Sequence, residues 1–263
     1  MKNNSSLRRL WRLLPQKVRY AIFATYLSVR EVLLLPRLVW KTPGLGIARL
    51  DYETYWKTRG ESAFQPRFQV ISEIIAEDST VLEIGCGDGL CMEFLERTRR
   101  VKGTGYDVSE VSIKLAKERG LNVEIADVTS NGFRVESVYD YVLACEVLEH
   151  LSDPEALIAK VRGNYRRALI ISIPNIGYFS HRLRLLFGRF PLQWVVHPSE
   201  HLWYWSVLDF RWWVREMGLQ ITEVKGANGI RVLNLHRWWP NLFANDIVYV
   251  ITEGSTLDSQ RET

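Results

Sequence analysis

Val81-Leu-Glu-Ile-Gly-Cys-Gly-Asp-Gly89 runs an apolar strand directly into a glycine loop. The apolar run predicts a strand covered on both faces, at the centre of a parallel sheet. Gly85, Gly87 and Gly89 leave no Cβ between the backbone and a ligand. A helix is expected next, with its N-terminal amides facing the loop. A dinucleotide fingerprint would place a glycine at position 90, where Leu90 stands. Glu83 within the strand is also unusual for a dinucleotide site.

Working outward, Gly103-Thr-Gly-Tyr-Asp107 reads as a second strand ending in a carboxylate. It lies about 20 residues past the loop, where ribose-binding acids close the second strand of doubly wound sheets. A helix over Ser109–Arg119, a third strand over Asn122–Asp127 and a fourth over Tyr139–Ala144 follow. Strands and helices thus alternate as a doubly wound fold requires. These features resemble the first motifs of the class I S-adenosylmethionine-dependent methyltransferases. The resemblance implies an α/β, Rossmann-like, seven-stranded and mostly parallel sheet, and S-adenosyl-L-methionine as cofactor. It implies cofactor contacts at Glu83, Gly85, Cys86, Gly87, Asp107, Val108, Asp127, Val128 and Cys145. In the family the acid at the third strand end, here Asp127, reaches the adenine amino group.

The 263 residues, 47% of them hydrophobic, suffice for one well-buried α/β domain with additions. The expected domain spans residues 51–253, between a basic helical arm (1–50) and a polar tail (254–263). Cys86, Cys91 and Cys145 are the three cysteines. An odd number without a Cys-x-x-Cys pair argues for buried thiols in a reducing, cytoplasmic setting. Net charge is +4, unevenly spread: residues 1–50 carry ten Lys/Arg against Glu31, and the remainder carries 24 basic and 29 acidic side chains. A mildly acidic body makes nucleic acid an unexpected partner.

In the arm, Leu7–Leu14 and Lys17–Leu35 read as helices broken at Pro15 and ended by Pro36. Ile22, Tyr26, Val29 and Leu33 recur at helical spacing. The longest uncharged stretch is Tyr20–Val29, against about 20 residues for a membrane span. No small-residue cleavage site follows an apolar core, so no signal peptide is expected. Two uses stay open: contact with the inner face of a membrane, or packing on protein, whether the catalytic body or a partner.

Asp51–Gly60 is a polar, aromatic connector, and Phe64–Ala76 a helix leading to the first strand. Pro154–Arg162 is a helix capped by Ser152 or Asp153, Arg167–Ile173 a fifth strand, and Val207–Met217 a helix closed by Gly218. Gln220–Val224 and Asp246–Thr252 read as a final antiparallel pair. Residues 175–206 lack clear periodicity, and at this position they form a lid over the carboxyl ends of the strands. Seven of the ten tryptophans lie in the C-terminal third. Most are expected in packing; Trp203 and Trp205 are the candidates for an aromatic wall against a saccharide-like small-molecule acceptor.

Cys145-Glu-Val-Leu-Glu-His-Leu151 holds Glu146, Glu149 and His150 at i, i+3 and i+4, one face of a helix if the segment is helical. Two carboxylates and an imidazole in one place suit a divalent cation. The pattern resembles the ubiquinone-pathway O-methyltransferases and the small-RNA terminal 2′-O-methyltransferases. That resemblance implies a site for Mg2+ or another divalent cation at Glu146, Glu149 and His150, with His201 added from the lid. His150 and Glu149 are the candidate catalytic residues; His150 as a general base without metal, or a helix start with a structural histidine, are the alternatives. A second resemblance, carried by Pro174–Pro191 with His201-Leu and Asp209-Phe, is to the MetW family. It implies a different role, as partner of a homoserine acyltransferase in methionine biosynthesis.

Overall fold

The computed structural model describes residues 62–193 and 200–254 throughout, with 52–59, 33–42 and scattered positions between 15 and 30. The expected helix Leu7–Leu14, Trp194, His197 and residues 255–263 lie outside the described residues.

Seven strands form one sheet in the order β3-β2-β1-β4-β5-β7-β6. They are β1 (Thr80–Ile84), β2 (Lys102–Asp107), β3 (Val123–Ile125), β4 (Tyr139–Cys145), β5 (Tyr165–Pro174), β6 (Leu219–Gly229) and β7 (Ala244–Glu253). The first five run parallel, and β7 runs antiparallel to both β5 and β6. Val81, Leu82, Ile84, Val142, Leu143, Ile170 and Ile171 are wholly buried. Their alternating side chains feed two apolar cores, one on each face of the sheet. Burying such a side chain stabilises by about 1.5–3 kcal/mol. The strand order reverses between β1 and β4, which opens a crevice at their carboxyl ends.

Three of the helices begin at short polar side chains that cap them. Leu35–Trp40 is α1, Tyr52–Arg59 α2, Pro66–Ile74 α3, Leu90–Arg99 α4, Glu110–Glu118 α5, Pro154–Val161 α6, Phe179–Leu186 α7, Val207–Glu216 α8, Leu235–Trp238 α9 and Pro240–Phe243 α10. Ser109 caps α5, Asp153 caps α6, and Ser206 with Asp209 forms a reciprocal capping box on α8. Gly218, at φ 69°, follows the end of α8 in the left-handed conformation.

Four expectations change, the first being that the connector expected over Asp51–Gly60 is helical at Tyr52–Arg59. Pro36 opens α1 rather than ending a helix, because in a first turn its missing N–H costs nothing. The third strand stops at Ile125, leaving Asp127 in a turn. The segment 175–206 is not irregular throughout: it contains α7, whose buried His181 and Arg184 replaced the apolar stripe that would have marked it.

Candidate active site

A cavity of about 810 Å³ opens at the carboxyl ends of β1, β2 and β4. It is lined by every residue expected to hold the cofactor: Glu83, Gly85, Cys86, Gly87, Asp107, Val108, Asp127, Val128 and Cys145. Glu146, Glu149, His150 and His201 line it too. Pockets for cofactor-sized ligands run to roughly 300–1,000 Å³.

The glycine loop is shaped by what surrounds it. Gly85 and Gly87 have φ of 68° and 55°. A Cβ on Gly85 would lie 2.5 Å from Val147 Cγ2, and one on Gly87 would lie 2.7 Å from the Trp56 ring. Asp107 pins the loop from β2: one carboxylate oxygen accepts from Gly87 N at 2.9 Å, the other from Ser109 N and Ser112 Oγ at 3.0 Å each. Asp127 accepts from Thr129 N and Oγ1 at 2.8 and 2.6 Å. The Thr129 side-chain bond holds the Asp127 carboxyl below its usual pKa, against the opposing effect of burial. A carboxylate offers about four lone-pair sites, so both acids retain capacity for a ligand.

The cavity wall includes a buried group of acids around Arg67. Burial pushes Glu83 up to about 8, opposed by a Cys91 hydrogen bond and by Arg67. Glu146 is likewise raised to about 8 by burial, against the pull of Arg67. Asp246 is raised by burial as well. Burial works against charge on Arg67, but Glu146 and Asp246 outweigh it and hold its pKa above the usual value. Burial pushes the Cys86 and Cys91 thiols up, with a Cys145 hydrogen bond the leading cause at Cys91. These thiols are therefore neutral packing groups rather than nucleophiles.

The segment after β4 is not an α-helix, so the expected shared face does not form. Glu146 takes a left-handed φ of 56°, and only Leu148–His150 coils, as a 3₁₀ turn. Glu146 is directed away, accepting from Ser172 Oγ at 3.0 Å. His201 comes from the lid, as expected, beside Glu149 and His150. Ligating atoms of Glu149, His150 and His201 all lie within 4.8 Å of one another. Three of the four residues expected to hold a cation thus lie close together, and Glu146 is not among them.

Glu149 is 1% exposed, and neither carboxylate oxygen has a hydrogen-bond partner. Burial raises its pKa to about 8. His201 Nδ1 is also buried and unpartnered. His150 Nδ1 lies 2.5 Å from the Glu200 carbonyl oxygen. That oxygen can only accept, so Nδ1 carries the proton and the neutral ring's lone pair sits on Nε2. Nε2 is 3.8 Å from Glu149 Oε1. Burial lowers the His150 pKa and, with His150 adding to it, holds His201 near 4. The lid is tied to the turn by main-chain bonds from Leu202 N and Trp203 N to the Glu149 carbonyl.

The aromatic wall comes from elsewhere. Trp205 is buried in the second core against Phe210 and Trp213. Trp203 stacks on Trp205 at 5.6 Å and donates to the Leu151 carbonyl. Neither lines the cavity; Tyr52, Tyr55 and Trp56 of α2 do. Glu53 accepts from Glu110 N at 2.6 Å and fastens α2 to α5. The Tyr-x-x-Tyr-Trp spacing was the available signal for this wall. Its placement depends on contacts 30 to 100 residues away, at Gly87 and His150.

The sheet order, glycine loop and acidic strand ends together define a class I S-adenosylmethionine-dependent methyltransferase. The chain belongs to the MetW family, whose model, "Methionine biosynthesis protein MetW", matches residues 65–251. It is 34% identical over 191 residues to a ubiquinone biosynthesis O-methyltransferase of Pseudomonas fluorescens, covering 66% of this chain and 78% of that one. It is 35% identical over 100 residues to the protein so named from Nitrosomonas europaea, covering 35% of this chain and 42% of that one. A SAM-dependent methyltransferase from Aquifex aeolicus shares the fold, with a TM-score of 0.52 at 16% identity over 77% of this chain and 99% of that one.

Proposed function

We propose that this methyltransferase alkylates a hydroxyl of a small molecule, a saccharide or other diol-bearing metabolite, at the pole formed by Glu149, His150 and His201. The observation that carries this reading is the buried, unpartnered Glu149 carboxylate between two imidazoles at the cavity wall. Desolvating such a group is costly unless a ligand completes it. Three ligating side chains in one place also suit an acceptor with two adjacent oxygens.

Bound S-adenosylmethionine supplies an electrophilic methyl carbon on a cationic sulfonium. Gly85, Gly87, Asp107 and Asp127 are assigned to holding it, with Glu83, Cys86, Val108, Val128 and Cys145 against it. That methyl carbon would be the target of the acceptor oxygen, with the sulfur as leaving group. Alignment of that oxygen by the protein supplies much of the acceleration. The hydroxyl proton passes to His150 Nε2, whose lone pair is free because Nδ1 is committed to Glu200.

The same donors fit a divalent cation such as Mg2+, with Glu149, His150 and His201 as its ligands. When bound, the ion would lower the pKa of the acceptor hydroxyl. The His150 lone pair cannot serve both uses, and a binding experiment separates them. Calorimetric titration of Mg2+ and Mn2+ into the protein, with Glu149→Gln alongside, is the test. Saturable binding lost in Glu149→Gln supports the cation; its absence leaves His150 as the base. In either case Glu149→Gln should lower kcat about 100-fold while S-adenosylmethionine affinity stays within about twofold. Unchanged turnover on the acceptor would sink the assignment.

The family's link to methionine biosynthesis favours a second reading, as partner of a homoserine acyltransferase; a stable stoichiometric complex with one would support it. The three buried free thiols support a cytoplasmic setting.

A further inference from the structure

Exposed apolar side chains collect on the arm and on the lid helix α7. The described residues of the arm between Val18 and Leu33 are helical. Val18, Ile22, Tyr26, Val29 and Leu33 are all exposed. At 100° per residue they fall within an arc of about 80°. This is one apolar stripe, and Leu33 is 74% exposed on it. The stripe leads into α1, which docks on the lid helix α7. Val39 is buried there, and Arg184 Nη1 donates to the carbonyls of Val39 and Lys41 at 2.9 and 3.1 Å.

Where α1 and α7 meet, a second apolar patch faces outward. It consists of Trp40, Leu185, Leu186, Phe187 and Phe190, with Leu186 77% exposed. Trp40 and Phe187 are in ring contact at 5.8 Å, and the Arg189 guanidinium lies 5.4 Å from the Trp40 ring. A water-soluble surface rarely gathers so many large apolar side chains without an occupant.

The surrounding charge says which occupant. Residues 1–50 carry ten Lys/Arg and one acid in sequence, and residues 175–193 carry Arg182 and Arg189 beside the buried Arg184 with no Asp or Glu. Arg30, Arg37 and Lys41 are exposed beside the apolar positions. A second copy of this basic surface would repel the first. An anionic bilayer attracts it, and receives apolar side chains at the headgroup boundary. Among the described residues no helix is long and apolar enough to cross a membrane, so the contact is with its surface. We infer that the arm stripe and the Trp40–Phe190 patch form one docking face for an anionic lipid bilayer. Leu192 and Gln193, just beyond Phe190, line the cavity, so the docked face adjoins the cavity wall. The inference does not depend on the acceptor chemistry, and its test involves no methyl transfer.

The test is co-sedimentation of the full chain with vesicles of phosphatidylglycerol and phosphatidylcholine, against phosphatidylcholine alone. Binding should be at least about tenfold stronger on the anionic vesicles and should weaken with salt. The double variant Leu33→Glu/Leu186→Glu, two of the most exposed positions, should lose about tenfold of that binding. Its melting temperature and S-adenosylmethionine affinity should not change. Absent binding to anionic vesicles, or binding indifferent to the double variant, overturns the inference. A dimer by light scattering that the same variant converts to monomer, without vesicle binding, assigns the face to a second copy and overturns it equally.

Discussion

The two ends of the cavity satisfy their polar groups differently. At the cofactor end, Asp107 takes hydrogen bonds from Gly87, Ser109 and Ser112, and Asp127 from Thr129, all within a short reach of chain. At the acceptor end, Glu149 and His201 are brought from segments 52 residues apart and leave buried atoms unpartnered. The first end is pre-organised by its own backbone. In the function proposed above, the second is completed by what binds there. Buried polar atoms without partners are uncommon because each costs about 1–3 kcal/mol; Glu149 and His201 together leave three of them, and Glu83 Oε2 and Arg67 Nε add two more on the same cavity wall.

The sharpest way to break this comparison is Asp107→Ala. It removes both an expected ribose acceptor and the loop's anchor, so S-adenosylmethionine affinity by calorimetry should fall at least about 100-fold. A fall under about threefold would show that the loop needs no anchor from β2. Trp56→Ala probes the same end from the N-terminal side. It withdraws the ring that meets the Gly87 backbone and should weaken cofactor binding by about tenfold; unchanged affinity would make α2 a cover without contact.

A pH series sharpens the comparison through Glu83. Burial holds its carboxyl near 8, above the roughly 4.3 of an exposed glutamate. The folded state keeps a proton that the unfolded chain has released. That stabilisation is complete below about pH 4 and is lost as pH rises through 8. His181, His201 and His236, held near 4 by burial, act in the opposite sense, costing stability as pH falls below about 6.5. Between pH 6.5 and 8 the raised acids act alone, and the melting temperature should fall. Glu83→Gln should reduce that fall, ending about 5 °C above the parent at pH 8. Parallel curves for the two proteins would contradict the assignment. The smallest effect is expected from Trp203→Ala, which should change acceptor KM by less than about twofold because the ring lies outside the cavity. A tenfold rise would return the tryptophans to the site.

Cofactor recognition was legible because it is written in contiguous chain. An apolar strand, glycines whose φ must be positive, and an acid about 20 residues on belong to local backbone geometry. The Glu149–His150 pair was legible for the same reason. Its helical reading failed because the left-handed Glu146 comes from the way β4 ends against Ser172 on β5, a contact between strands. The arm was legible as basic and amphipathic, but not where it docks. Arg184 on α7, which the sequence does not single out, is the residue that fastens it.

The sequence by itself determined the class of fold, the cofactor loop and the acidic strand ends, because these depend on periodicity and on short-range backbone conformation. The tertiary structure alone decided which acid joins the two histidines, which aromatic rings wall the cavity, and that Trp205 belongs to the core. Each of those outcomes is fixed by packing between segments tens of residues apart, where burial and close approach select among side chains that look equivalent along the chain.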